Sequence, residues 1–199
     1  MAHEELDEAP GWAKARGVVL AILSIEVVVL VVSGVALCFV YRPSAAQAWD
    51  DIYELHLDGG LSGEMLLSQR VRSAHRLASV AAVPTALIAA VVHTVGARPP
   101  LRGAAGIVGA VALAAVALLA SVTGFLLPWD QLALWAVTVG EEVGGYGFLF
   151  DDDVRFVLIG GVEVTPGTLL GWLVAHVALG AVSVALVGAL WSAGRRSRI

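Results

Sequence analysis

Two histidines lie where such side chains are costly. His75 opens one apolar stretch of membrane length, and His176 lies early in another. An imidazole in hydrocarbon needs something to hold it, so a matched pair marks a functional site. Two facing imidazoles at one membrane depth supply the axial ligands of a low-spin haem iron. Arg72 and Arg76 flank His75, and guanidinium groups near an interface bind carboxylates such as haem propionates through paired hydrogen bonds. Gly34 and Gly124 fall near the ends of two further apolar stretches. Lacking a Cβ, each lets a flat macrocycle approach the helix backbone. Taken singly, each histidine also reads as an interfacial or helix-packing residue. The constellation favours haem.

Membrane helices must position these residues. The chain has 199 residues, 58% of them hydrophobic and 15% charged, with a mean hydropathy of +0.83. That balance lies outside the soluble average and points to an integral membrane protein. Four apolar stretches, at about residues 17–41, 73–96, 103–127 and 166–191, are long enough to span. A span needs about 20 residues at 1.5 Å rise to cross a core of about 30 Å. The expected fold is all-α, a transmembrane four-helix bundle, with a tail at residues 1–16 and one domain at 17–199. The acidic start MAHEELDEAPGWAKAR has no basic n-region or cleavage site, so the first span is expected to be retained.

Charge sets the expected topology. With four spans, one side carries Lys14, Arg16, Arg98, Arg102, Arg195, Arg196 and Arg198, and the other carries both long loops and most of the acids. The positive-inside rule places both termini in the cytoplasm and the acidic loops outside a cell's inner membrane. The net charge of −5 gives no reason to expect nucleic acid as a partner, and the acidic face reads as a solubilising surface or as a guide for a basic partner. The short connection GARPPLR makes the second and third spans antiparallel neighbours. A surface helix is expected at about residues 45–57, Pro84 is expected to kink the second span, and Thr165-Pro166 reads as N-cap and first position of the fourth. Cys38, the one cysteine, excludes a CxxCH attachment, an iron–sulfur cluster and an internal disulfide. Glu26, near the middle of the first span, is either part of a proton path or quinone contact, or a neutral acid hydrogen-bonded to a neighbouring helix.

The runs YRPSAAQAWDDI (41–52), VRSAHR (71–76) and TGFLLPWDQLALWAV (123–137), with the His176 helix, resemble the N-terminal four-helix domain of cytochrome b. The resemblance is strongest to the split, plastid-type form of the quinol:cytochrome c or plastocyanin oxidoreductases and extends over residues 17–191. PWDQ with a tryptophan four residues on, and VRSxHR upstream, carry it. It implies b-type haem held by helices two and four in quinol-linked electron transfer.

The departures narrow this reading. The resemblance implies two stacked haems, with second ligands 14 residues after His75 and 14 or 15 after His176. Those positions hold Ala89, Leu190 and Trp191. Glycines facing the inner haem would lie 14 residues before Gly34 and Gly124, where the chain has Leu20 and Ala110. Four correlated losses read as one closed site, with Leu20 and Trp191 bulky enough to help fill it. His93 lies 18 residues after His75, about 27 Å deeper by helix rise. With no histidine on the fourth span to oppose it, it reads as a snorkelling interfacial residue unless a partner supplies a ligand. His3 and His56 are expected to be solvated, and Cys38 lies too near the outer end of its span for the extra haem of plastid-type members.

The expected function is therefore a membrane electron-transfer subunit with one outer-side haem b, ligated by His75 and His176. The family's quinol site is completed by a PEWY-type motif that these four spans lack. Another membrane subunit is expected to supply it, with a Rieske protein or c-type cytochrome as further partner, so this chain is a subunit rather than an enzyme alone. The competing reading is a structural or assembly subunit descended from cytochrome b. A sensor lacks any appended signalling domain.

Overall fold

A computed structural model of the protein describes residues 10–57, 63–95, 102–142 and 164–196. Among these residues the chain forms α1 (Pro10–Cys38), α2 (Ala48–Leu57), α3 (Gly63–Val95), α4 (Arg102–Leu126), α5 (Gln131–Glu142) and α6 (Pro166–Arg196). Four segments among the described residues are long and apolar enough to cross a membrane: Gly11–Cys38, Gln69–Val95, Ala105–Leu126 and Gly167–Ala193. The fold class is the expected all-α, four-span membrane architecture. The acidic start with His3, most of the GARPPLR connection and the glycine-rich acidic stretch at 143–163 lie outside the described residues.

Helix ends differ from the hydropathy reading in an instructive way. α3 begins at Gly63, ten residues before the expected start, and α1 stops at Cys38 rather than Tyr41. Hydropathy marks where lipid begins, whereas a helix continues for as long as its backbone can pair. Beyond α1, Phe39 and Val40 close tighter turns on Ala36 and Leu37, and Pro43 disfavours helical geometry at Arg42. Pro84 lies within the continuous helix α3.

The chain divides into two compact units, each taking parts of all four spans. In the first unit, Leu20, Leu23 and Val27 of α1, Ala86 and Ala89 of α3, Ala110, Leu113 and Ala114 of α4, and Val187 and Leu190 of α6 form one buried cluster. Lipid gives apolar side chains no reason to leave it, so such a core rests on close packing, which small residues permit. The fit is tight: a Cβ on Gly109 would stand 3.1 Å from Leu190. Trp191 packs on this cluster, and its Nε1–H donates to Ser24 Oγ at 2.9 Å. Ser24 in turn donates to the carbonyl of Leu20 at 2.7 Å. Outward faces carry Ile22, Ile25, Val28, Leu87 and Val91, as a lipid-facing surface requires. Thr85 donates to Ala81 O at 2.9 Å and lies 3.0 Å from Glu26 Oε1, so the link to a neighbouring helix required by the neutral-acid reading is present.

In the second unit, Ala48, Leu126, Ala133, Val137, Leu169 and Trp172 form a separate buried cluster. The PWDQ run acts here as a joint. Pro128 follows the end of α4, and Trp129 takes a left-handed φ of 49°. Asp130 caps α5, its Oδ1 accepting from the Ala133 N–H at 2.9 Å, as an N-cap aspartate does. Tyr41 donates to the Leu127 carbonyl at 2.6 Å, tying the chain after α1 to the end of α4. Burial, and then the charge of Asp51, push the Tyr41 phenol well above its usual value, so it stays a donor.

Asp51, buried in α2, accepts from the Arg42 backbone N–H at 2.7 Å and from Arg42 Nε at 2.9 Å, with an ion pair to the second guanidinium nitrogen. Burial raises the Asp51 carboxyl, but the hydrogen bonds and charge of Arg42 outweigh it and hold it below the usual carboxylate range. Asp51→Asn keeps the shape and removes the charge, and should lower stability at neutral pH by about 1–2 kcal/mol, read by thermal unfolding in detergent. A depressed folded-state value makes the stabilisation complete above the unfolded pKa of about 3.9 and erodes it as pH falls towards the folded value. The gap between wild type and variant should therefore shrink below about pH 4. An unchanged gap in that range would contradict the pairing.

Candidate haem site

α6 starts as its sequence dictates. Thr165 caps it, donating its N–H to Thr168 Oγ1 at 3.1 Å, while the Thr168 N–H returns to Thr165 O at 3.0 Å. This is half of a capping box, with threonine in the place of the usual glutamate. Pro166 at the first position gives up an N–H that would have had no helical partner. From this start Leu169, Trp172 and His176 follow at helical spacing on one face. On α4, Ala120, Thr123 and Gly124 share a face in the same way.

These faces meet at the His176 ring. His176 Nδ1 lies 3.0 Å from the Ala120 carbonyl and 3.1 Å from Thr123 Oγ1. Thr123 Oγ1 donates to the same carbonyl at 3.0 Å. One protonation scheme satisfies all three contacts: Nδ1–H donates to Ala120 O and Thr123 Oγ1, and the hydroxyl proton also goes to Ala120 O. That tautomer puts the lone pair on Nε2, the form in which imidazole binds a metal. Gly124 completes the arrangement. A Cβ there would stand 2.8 Å from His176 Cε1 and 3.3 Å from Nδ1. The sequence assigned this space to a macrocycle; in the structure the imidazole itself lies against the glycine.

The other expected residues fall as follows. Gly34 and Arg72, both half-buried, belong to the second unit with Gly124 and His176. His75 and Arg76 belong to the first unit, where His75 is half-buried and Arg76 exposed. On α3 the spacing of Arg72, His75 and Arg76 puts them on one helical face. The structure thus brings His176 and Gly124 together. Thr123 and the Ala120 carbonyl were not anticipated as parts of the site. A hydroxyl within an apolar helix, beside a glycine, was the available signal.

His93 departs from expectation. It does not snorkel: it is 8% exposed, with Nδ1 2.7 Å from the Ala89 carbonyl of its own helix. Gly106 of α4 lies against it, a Cβ there standing 3.5 Å from the His93 Cδ2 atom. A carbonyl one turn back takes the N–H, so the ring has no need to reach water. Cys38 is free and exposed at the end of α1.

A family model described as cytochrome b/b6/petB matches residues 14–190. The chain belongs to the cytochrome b family. It is 28% identical over 156 residues to cytochrome b6 of Porphyra purpurea, covering 78% of this chain and 69% of that protein. It is 31% identical over 166 residues to the menaquinol:cytochrome c reductase cytochrome b subunit of Geobacillus thermodenitrificans, covering 75% and 71%. The corresponding subunit of Bacillus subtilis is 33% identical over 152 residues, covering 75% of this chain and 65% of that protein. Membership of the cytochrome b family implies haem b, and the donor set fits it: an imidazole oriented through Nδ1, with a glycine making room for the ring.

Gly124→Ala should therefore displace the His176 ring from its Ala120 contact. The expected cost is about 1–3 kcal/mol of overpacking, read by thermal unfolding, together with reduced haem per chain. Thr123→Val should leave stability closer to wild type but loosen the ring, broadening the haem spectrum. A Gly124→Ala protein that retains full haem and native melting would show that the ring does not depend on this glycine.

Proposed function

We propose that this cytochrome b-family chain is a membrane subunit of a quinol-oxidising complex and carries one haem b, with His176 and His75 as its axial ligands. The observation that carries the reading is the oriented His176 ring, with Nδ1 on the Ala120 carbonyl and Gly124 against its face. A histidine that served only helix packing would have no need of a site kept clear to within one methyl group. His75 is assigned from the sequence, where VRSAHR stands in register with the PWDQ run. Arg72 and Arg76, spaced with His75 along α3, are the cations for the propionates.

A bis-histidine haem b supplies one-electron exchange without a change of ligands. The chain's own contribution is to hold His176 in one tautomer, so that no proton need move on that ring as the electron passes. The single-haem reading is supported by the first unit. Leu20, Ala89, Ala110 and Leu190, the positions expected to serve a second haem, are all members of one buried cluster. Gly109 allows Leu190 an approach that fills the interior further. Electrons would then remain on the side of the acidic loops, or leave through a cofactor on another subunit. The named relatives are cytochrome b6 and the cytochrome b subunit of a menaquinol:cytochrome c reductase, which supports a quinol as donor and a c-type cytochrome as neighbour; a Rieske protein is the alternative neighbour that the sequence resemblance implies. The charge asymmetry of the loops supports both termini on the cytoplasmic side of the inner membrane.

Haem content of the purified chain tests this directly. One haem b per chain is expected, with a low-spin bis-histidine resonance that disappears in both His176→Ala and His75→Ala. Two haems per chain would refute the closed site. A His176→Ala protein that keeps its full low-spin signal would refute the ligand.

A further inference from the structure

The second unit contains a shallow cavity of about 280 Å³ lined by Trp49, Trp129, Asp130 and Gln131. Its depth follows from the chain: Trp129 stands three residues beyond the span Ala105–Leu126, at the level of lipid headgroups. Interfacial tryptophans often do no more than anchor a helix in that layer. Two observations ask for more. Trp129, with its φ of 49°, is the sole non-glycine residue with positive φ among those described. Side chains rarely adopt that conformation, and where it persists something nearby holds it. Here it sets the Trp129 ring against Trp172, with centroids 5.6 Å apart and planes tilted by 50°. The same turn places Asp130, whose Oδ1 caps α5, beside Trp129 in the cavity wall. Trp49 of α2, 43% exposed, supplies a second indole.

Two indoles and a carboxylate recognise an organic cation, since ring faces attract ammonium groups and a nearby carboxylate adds charge. Gln131 adds an amide whose N–H groups suit an anionic oxygen. We propose that this cavity binds the headgroup of a zwitterionic amine phospholipid, with the ammonium at Trp49, Trp129 and Asp130 and the phosphate at Gln131. A lysine or arginine from a partner protein would use the rings and the carboxylate alone. The headgroup uses the whole lining and is present at this depth in the bilayer.

The test is native mass spectrometry of the full chain released from nanodiscs containing equal amounts of phosphatidylethanolamine and phosphatidylglycerol. Preferential retention of the ethanolamine lipid is expected. Asp130→Asn caps α5 as well as aspartate does, so the helix is kept while the charge is lost. It should lower that retention by up to about fivefold, the worth of one exposed ion pair, and Trp49→Ala should lower it as well. Equal retention of the two lipids, or retention unchanged in both variants, overturns the proposal. So does tryptophan quenching by free phosphoethanolamine without lipid retention, which would assign the cavity to a soluble zwitterion. A lysine-rich peptide bound in place of either lipid would likewise overturn it, in favour of a protein partner.

Discussion

A polar hydrogen inside hydrocarbon must find an acceptor within the protein, because there is no water to take it. The chain meets this constraint by using helical carbonyls twice. Each carbonyl has two lone pairs, and the helix needs one. Ala120 accepts from His176, Ala89 pairs with His93, Leu20 accepts from Ser24 and Ala81 from Thr85. Polar side chains are thus housed without breaking the helix that hosts them. For histidine the arrangement does more than satisfy a group, since fixing the proton on one nitrogen decides which nitrogen is left as a base.

That logic also explains what could be read from the sequence. The four spans, the all-helical fold and the Thr165-Pro166 start followed from apolar length and capping chemistry, which are local. Helix ends beyond the lipid did not, because α3 extends outward through charged residues that hydropathy discounts. Gly124 was identified as a place of close approach, but what approaches depends on a helix more than forty residues away in sequence. The role of Thr123 is hidden in the sequence for the same reason, arising only where α4 meets the His176 ring. The burial of His93 is not legible in the sequence, because its acceptor is the backbone of its own helix, a partner that residue types do not advertise.

The buried cluster of the first unit joins residues that lie at a regular distance along the sequence from His75, His176, Gly34 and Gly124. Leu20, Ala89, Ala110 and Leu190, scattered along the sequence, pack as one core. Small residues there bring backbones together, while Leu190 and Trp191 occupy volume. The Trp191–Ser24–Leu20 chain of hydrogen bonds shows the same economy as the histidines. A large indole enters a membrane core with its one N–H accounted for.

The position of Gly124 and Ala120 on α4 carries a consequence for biogenesis. α4 precedes α6 along the chain, so during synthesis the mould for the histidine ring exists before the ring does. Until α6 has entered the membrane and docked on α4, His176 has no defined tautomer to offer. A chain stalled before α6 would present the recess at Gly124 with no ring to fill it.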